Sequence, residues 1–169
     1  MIIGMTSIEK RSRAWVVMIC FGLSAVAYTQ DQKGAPVTKH ATGTFEVQLI
    51  PQGSEDKTDG TSIGRMSIDK KFSGDLQGTS KGEMLSAMTA TKGSAGYVAI
   101  ERVLGTLQGR TGTFVLQHTG TMTRGAPQLA VTVVPDSGTG QLLGLTGTLT
   151  IKIEGGKHFY DFEYMITPQ

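Results

Sequence analysis

The sequence of 169 residues has little of several residue types: it contains one cysteine, one tryptophan and no asparagine, and only 18% of its residues are charged. One cysteine excludes an intrachain disulfide and a zinc site built from several thiolates. The sequence also lacks the excess of Ala, Leu, Glu and Lys that is typical of helical bundles, and it is too apolar for a disordered chain. Glycine (23) and threonine (22) are abundant instead. Together with scattered Val, Ile and Phe, they are typical of an all-β protein with many turns.

The N-terminus has the pattern of a secretory signal peptide. A basic segment, residues 8–13, precedes an apolar run from Ala14 to Ala27 that ends in Ala-Val-Ala. This run of 14 residues is shorter than the roughly 20 that span a bilayer, which favours cleavage after Ala27 over a membrane anchor. The expected organisation is a signal peptide over residues 1–27, a flexible lead-in over 28–40, and a single domain over 41–169 that is exported to the periplasm or beyond.

Cleavage would change the charge and the cysteine content of the protein. Three of the 16 basic residues, one of the 14 acidic residues and Cys20 lie in the removed segment, which leaves 13 side chains of each sign. Without clustered Lys and Arg, the mature domain is not expected to bind nucleic acid. Without an amphipathic basic helix, it is not expected to bind a membrane after cleavage. Without cysteine, its core alone must hold it together.

Alternation of apolar and polar residues predicts β-strands throughout the domain. The sharpest hairpin turns at Gly155-Gly156 and pairs residues whose numbers sum to 311, so that Ile151 faces Tyr160. A second hairpin is predicted to turn at residues 109–112, with pairs that sum to 221, and a third at residues 135–138. No segment has a sustained 3.6-residue apolar period, so little or no helix is expected in the mature domain.

Eight or nine short strands, each with one apolar face, favour a closed antiparallel barrel over a sandwich. Glycines inside the predicted strands, such as Gly78, Gly82, Gly105 and Gly147, favour the barrel because tightly coiled strands need them. The predicted fold is therefore all-β, a closed antiparallel β-barrel of about eight strands.

The second hairpin places ionisable residues on an apolar inward face. These residues are Tyr97, Glu101, His118 and Arg124, and in the predicted register Glu101 and His118 are diagonal neighbours within reach of each other. Burial of an isolated polar group is costly, so such groups are paired or serve a ligand. Both interpretations stay open: an internal pair that fixes the strand register, or a polar cluster that orients a small ligand or acts as acid and base.

Two further candidates for ligand contact lie on the last strand, where His158 heads an aromatic stripe that continues with Tyr160. The alternative for His158 is an ordinary histidine at a strand end near the rim. The sequence has no glycine-rich nucleotide loop, no nucleophile elbow and no His-Glu-x-x-His motif, so no catalytic residue can be assigned. The three histidines, His40, His118 and His158, are far apart in sequence, and neither a metal site nor a cofactor is expected.

Four stretches of the domain match a known pattern: ATGTFEV (41–47), GRMSIDKKFSGDLQGTSKGEMLSA (64–87), GSAGYVAIERVLGTLQGRTGTFVLQHTGTM (93–122) and RGAPQLAVTVVPDSGTGQLLGLTG (124–147). They resemble an uncharacterised bacterial family, domain of unknown function 3224. The resemblance implies a calycin-like barrel similar to that of allene oxide cyclases, and it implies no established activity. Members of the family often begin near the first strand, so the N-terminal extension departs from the family pattern.

Three functions fit these observations. The first is an exported barrel that binds a small hydrophobic or amphipathic molecule, since the interior of an eight-stranded barrel is filled by side chains or holds one small ligand. The second is a structural module with a filled barrel that acts through its surface, for example as a homo-oligomer. The third is a cofactor-independent isomerase or cyclase that uses Glu101 and His118 as acid and base.

Overall fold

The structure, a computed structural model, describes residues 37–167. Nine strands and one turn of 3-10 helix make up this part of the chain: β1 (Lys39–Pro51), β2 (Asp56–Thr58), β3 (Thr61–Gly74), β4 (Leu76–Met88), β5 (Ala95–Leu107), β6 (Arg110–Thr123), β7 (Ala126–Val133), the 3-10 turn (Gly140–Leu142), β8 (Leu145–Glu154) and β9 (Lys157–Ile166). The described residues contain no α-helix, and none of them belongs to a helix that could span a bilayer. The predicted signal peptide lies outside them.

Eight of the strands close into an antiparallel barrel, which confirms the predicted fold. From β3 the strands follow one another in chain order to β9, β1 pairs with β9, and β1 also pairs with β3 to complete the ring. The short strand β2 pairs only with β3, outside the ring. Strand β1 begins at Lys39, two residues before the predicted start of the domain, because Lys39 and His40 pair with the end of β9.

The C-terminal hairpin has the predicted register. Strands β8 and β9 pair from Leu145 with Ile166 to Glu154 with Lys157, around the turn at Gly155-Gly156. Both glycines have positive φ, 57° and 77°, as a tight two-residue hairpin turn requires.

The predicted register of the second hairpin is wrong by four residues. The turn is Gln108-Gly109, so that Leu107 pairs with Arg110 and Val103 with Phe114. Both turn residues have positive φ, 45° for Gln108 and 83° for Gly109. Glutamine rarely adopts this conformation, so the sequence favoured a turn bounded by glycines, at residues 109–112. Because the shift is an even number of residues, the side chains that remain within β5 and β6 stay on their predicted faces.

The third predicted hairpin is a longer connection. Residues 134–144 link β7 to β8 and include the 3-10 turn, whose Leu142 is fully buried. Ser137 holds this connection in place: its hydroxyl donates to the Val134 carbonyl oxygen and accepts from the Val115 amide. The pairing between β7 and β8 is reduced to a single pair of residues, Thr132 and Thr148.

The barrel is filled at one end, where the β3–β4 and β5–β6 turns lie. Fully buried residues there include Leu76, Leu107 and Phe114. Two facing glycines, Gly78 and Gly105, let β4 and β5 approach closely: a Cβ atom on Gly78 would overlap the Leu104 carbonyl oxygen and lie 2.7 Å from the Gly105 Cα. Inward residues become partly exposed toward the other end, which we call the open end; it lies beside the β4–β5 connection and the β6–β7 turn.

Candidate functional site

Glu101 and His118 meet inside the barrel, as predicted. His118 Nε2 lies 2.8 Å from Glu101 Oε1, and both side chains are buried. In the observed register Glu101 is opposite Leu116 and His118 is opposite Ala99. They are therefore diagonal neighbours in this register as in the predicted one, so the contact was predicted correctly from a wrong pairing.

Two residues of the same site were missed from the sequence. Lys70 Nζ lies 2.6 Å from Glu101 Oε1, and the Ser80 hydroxyl donates to Glu101 Oε2 at 2.5 Å. Both residues are buried and point inward from β3 and β4. The sequence did contain an indication for Lys70, since this residue occupies the inward position between Ile68 and Phe72, where a buried charge needs a partner. We call Lys70, Ser80, Glu101 and His118 the polar cluster.

The Glu101 carboxylate is ionised within this cluster. Burial alone raises its pKa, but the hydrogen bond from His118, the charge and hydrogen bond of Lys70 and the hydrogen bond from Ser80 outweigh burial and lower the pKa to about 2. The Lys70 ammonium is stabilised further by the Phe45 ring, whose centroid is 4.9 Å from Nζ.

The polar cluster also determines the role of one nitrogen of His118. An ionised carboxylate only accepts hydrogen bonds, so Nε2 of His118 must donate to Glu101. Nδ1 has no hydrogen-bond partner among residues 37–167. In the same part of the chain every fully buried side-chain nitrogen or oxygen has a partner, so Nδ1 is not sealed off.

Tyr97 lies on the same inward face, two residues closer to the open end than Ala99. Its ring covers Gly120, where a Cβ atom would overlap the ring carbons. Burial, and then the negative charge of Glu101, raise the pKa of the Tyr97 hydroxyl, so the group keeps its proton. Within the described part of the chain this hydroxyl has no hydrogen-bond partner.

Tyr97 and Gly120 also line a pocket of about 350 Å³ at the open end of the barrel. Four methionines are the most frequent residue type in its wall. The lining residues are Leu49, Met66, Met84, Ser86, Ala87, Met88, Ala95, Gly96, Tyr97, Gly120, Thr121, Met122, Pro127, Gln128 and Leu129. The polar cluster lies deeper than this wall: His118 is one inward position from Gly120 on β6, and Lys70, Ser80 and Glu101 are each two inward positions from the wall residue on their own strand.

Arg124 does not lie on the inward face, which corrects the prediction. It occupies the β6–β7 turn with a φ of 50°, its side chain is exposed, and its backbone amide donates to the Ser94 hydroxyl at 3.1 Å. The four-residue error in register is the cause: it extended the pairing of β5 with β6 as far as Tyr97 and Arg124, whereas Tyr97 pairs with Gly120.

His158 and Tyr160 are separate from the polar cluster. The His158 ring stacks on Phe45 with 4.9 Å between centroids, and it borders another pocket, of about 460 Å³, beside the β8–β9 turn. The Tyr160 hydroxyl accepts from the Leu76 amide at 2.8 Å and donates to the Ser73 carbonyl oxygen at 3.3 Å. These hydrogen bonds of Tyr160 thus stabilise the β3–β4 turn at the filled end of the barrel. Ligand contact by these two residues stays a prediction.

The inner surface therefore offers hydrogen-bonding groups at Tyr97 and His118 and apolar surface at the open end. Among residues 37–167, no three or more His, Cys, Asp or Glu side chains are grouped so that they could hold a metal ion.

Comparison with known proteins identifies a matching family and a solved structure with a similar fold. The family model described as "Protein of unknown function (DUF3224)" matches residues 41–164. A crystal structure of a protein with unknown function from the DUF3224 family, from Shewanella oneidensis MR-1, is 53% identical, covers 79% of this chain and 100% of its own, and superposes with a TM-score of 0.76. No curated protein matches the chain.

Proposed function

This chain belongs to the DUF3224 family, whose function is unknown, and we propose from its geometry that it is an exported barrel that binds one small hydrophobic or amphipathic molecule. The observation that carries the proposal is the methionine-rich pocket at the open end. Its volume of about 350 Å³ falls within the range of small-molecule sites, which run from about 300 to 1,000 Å³.

The character of the pocket wall supports an apolar ligand without a rigid shape. Methionine side chains are flexible and polarisable, and they adapt to different apolar surfaces. Several apolar residues of the wall, including Leu49, Met88, Met122 and Leu129, are exposed to solvent. A cluster of exposed apolar residues in a concave site is typical of a surface that a ligand covers.

A charge placed in the pocket is expected to weaken ligand binding. Met84→Lys puts an ammonium group into the apolar wall, and we expect the affinity for the uncharged fluorescent probe N-phenyl-1-naphthylamine to fall at least about tenfold, because burying that charge against the probe is costly. Leu85→Lys is the matched control, since Leu85 is the next residue on β4 and is exposed on the outer face. Titration of each protein with the probe, followed by fluorescence, gives the two affinities.

The control keeps its affinity if the ligand binds inside the barrel. Equal weakening by the two substitutions would show that the probe binds the outer surface, and an absence of binding to the unmodified protein would contradict the proposed function.

Export is the second part of the proposal and rests on the basic segment and apolar run of residues 8–27. When the full chain is produced in a bacterial host, we expect the protein to be recovered outside the cytoplasm with the mass of a chain that begins at Tyr28. Intact mass spectrometry of the separated cell fractions measures this. An uncleaved chain in the cytoplasm would contradict export and leave the binding proposal standing.

The pairing of Glu101 with His118 favours a second candidate, a cofactor-independent isomerase. A carboxylate that fixes the donor nitrogen of a histidine leaves the other nitrogen free to accept a proton from a substrate. This candidate also requires a molecule in the barrel, so loss of probe binding to Met84→Lys is expected for both functions, whereas a filled structural module would bind no probe.

A further inference from the structure

We infer that ligand binding at the open end is regulated by oxidation of two methionines at the mouth of the pocket, Met88 and Met122, whose sulfoxides lower the affinity for an apolar molecule. The oxidant belongs to the hydroperoxide class. The inference rests on the proposed function and states how binding at the same site is controlled. It is carried by the number, depth and exposure of the methionines in the pocket wall.

The methionines of residues 37–167 are concentrated in this wall. There are five of them, and all except Met165 line the pocket. The only cysteine of the sequence is Cys20, so no thiol among residues 37–167 competes with these thioethers for an oxidant. In this part of the chain, the pocket therefore holds most of the sulfur that a hydroperoxide can oxidise.

The four methionines of the wall lie at two depths. Met88 is the last residue of β4 and Met122 the last but one of β6, and they pair with Ala95 from opposite sides. These two residues, which we call the mouth pair, are 62% and 42% exposed. Met66 and Met84 are partly buried and pair directly with each other, and Met84 lies roughly 13 Å along β4 from Met88. Because exposure favours oxidation, the mouth pair reacts first.

Each oxidation transfers one oxygen atom and two electrons. A lone pair of the thioether sulfur attacks one oxygen of the hydroperoxide, the O–O bond breaks and an S–O bond forms. The second oxygen leaves as water, or as an alcohol where the oxidant is an organic hydroperoxide. Methionine sulfoxide reductases reverse the change: two thiols supply the electrons, and the products are the thioether, a disulfide and water.

A sulfoxide makes the mouth of the pocket polar without adding a charge. Its oxygen accepts hydrogen bonds from water, and an apolar ligand that displaces this water offers no donor in exchange. Neither residue of the mouth pair belongs to the buried core, so the oxidised barrel is expected to stay folded. Oxidation should therefore weaken binding directly and reversibly.

The test uses hydrogen peroxide as oxidant and N-phenyl-1-naphthylamine as probe, added after the peroxide has been removed. Peptide mapping by mass spectrometry should find sulfoxide at Met88 and Met122 before it finds sulfoxide at Met66 and Met84. We expect the affinity for the probe to fall about tenfold once the mouth pair is oxidised. Treatment with the two stereospecific methionine sulfoxide reductases and a dithiol should restore the affinity.

Two variants locate the effect. The double substitution Met88→Leu with Met122→Leu keeps apolar side chains of similar volume that form no sulfoxide, so it should retain its affinity after peroxide treatment. Met165→Leu is the matched control, since it removes the one methionine of the described residues that does not line the pocket. This control should lose affinity on oxidation as the unmodified protein does.

Circular dichroism of the oxidised, unmodified protein should match that of the untreated protein. Loss of the folded spectrum, a mouth pair oxidised no faster than Met66 and Met84, unchanged affinity after its oxidation, or an equal loss of affinity in the double variant would each overturn the inference while the proposed function stands. Failure of the untreated protein to bind the probe would overturn the proposed function and the inference with it.

Discussion

Replacing Glu101 with leucine is expected to destabilise the barrel by about 3–5 kcal/mol, because the substitution leaves the buried ammonium of Lys70 without the carboxylate that it contacts at 2.6 Å. The free energy of unfolding in urea, followed by circular dichroism, measures this loss. The size of the effect depends on burial: the side chains of Lys70 and Glu101 are 7% and 0% exposed.

Two matched variants separate an unpaired charge from a lost packing contact. The double substitution Lys70→Met with Glu101→Leu removes both charges and should recover part of the lost stability, since an apolar pair of similar volume often replaces a buried ion pair without loss. Recovery is incomplete because Ser80 and His118 still lose the acceptor of their hydrogen bonds. Glu83→Leu removes an exposed carboxylate that faces Arg65 at 3.5 Å on the same sheet, and it should change stability little. If Glu101→Leu were no more harmful than Glu83→Leu, the polar cluster would not be a desolvated ion pair.

This expectation also determines how the site can be probed. Because Glu101 holds Lys70 and His118 at once, a substitution at residue 101 changes stability, charge and the orientation of the imidazole together. Loss of binding in such a variant would not identify a ligand contact.

The second large effect is expected at Gly78. Gly78→Ala should destabilise the barrel by about 1–3 kcal/mol, because the added Cβ would overlap the Leu104 carbonyl oxygen and lie 2.7 Å from the Gly105 Cα. Both are backbone atoms of the neighbouring strand and cannot rotate away, so β4 and β5 must separate. Urea unfolding again measures the loss.

Gly96→Ala is the control for this substitution. Gly96 lies in the neighbouring strand β5, and the nearest atom to its added Cβ is the Gly120 carbonyl oxygen at 3.8 Å, an ordinary contact. Without a clash, alanine restricts the unfolded chain and should leave stability unchanged or slightly increased. Equal destabilisation at the two positions would mean that the close approach of β4 and β5 is not what Gly78 provides.

The barrel itself could be predicted from the sequence because alternation and turn residues carry that information locally. The Gly155-Gly156 turn set the register of the last hairpin, and the structure has that register. The contact of Glu101 with His118 survived an error in register because only the parity of the shift decides the face, and the pair remained diagonal.

The remaining features depend on interactions that local patterns do not contain. Gln108 adopts positive φ in a tight turn against its usual preference, and this choice displaced Arg124 from the predicted inward face into the next turn. Lys70 reaches Glu101 across β4, which lies between their strands, so their contact requires two registers and the curvature of the closed barrel. The charge of Lys70 on an apolar face indicated that this residue has a partner, but the sequence did not identify Glu101 as that partner.

Strands β7 and β8 are the most weakly paired neighbours in the barrel, so the free energy needed to separate two strands differs around the ring. Strands β8 and β9 are joined by ten residue pairs, whereas β7 and β8 share the single pair of Thr132 and Thr148. Local opening costs least where the fewest backbone hydrogen bonds are broken. We therefore expect β8 of the C-terminal hairpin to separate from β7 before any other two neighbouring strands of the ring separate.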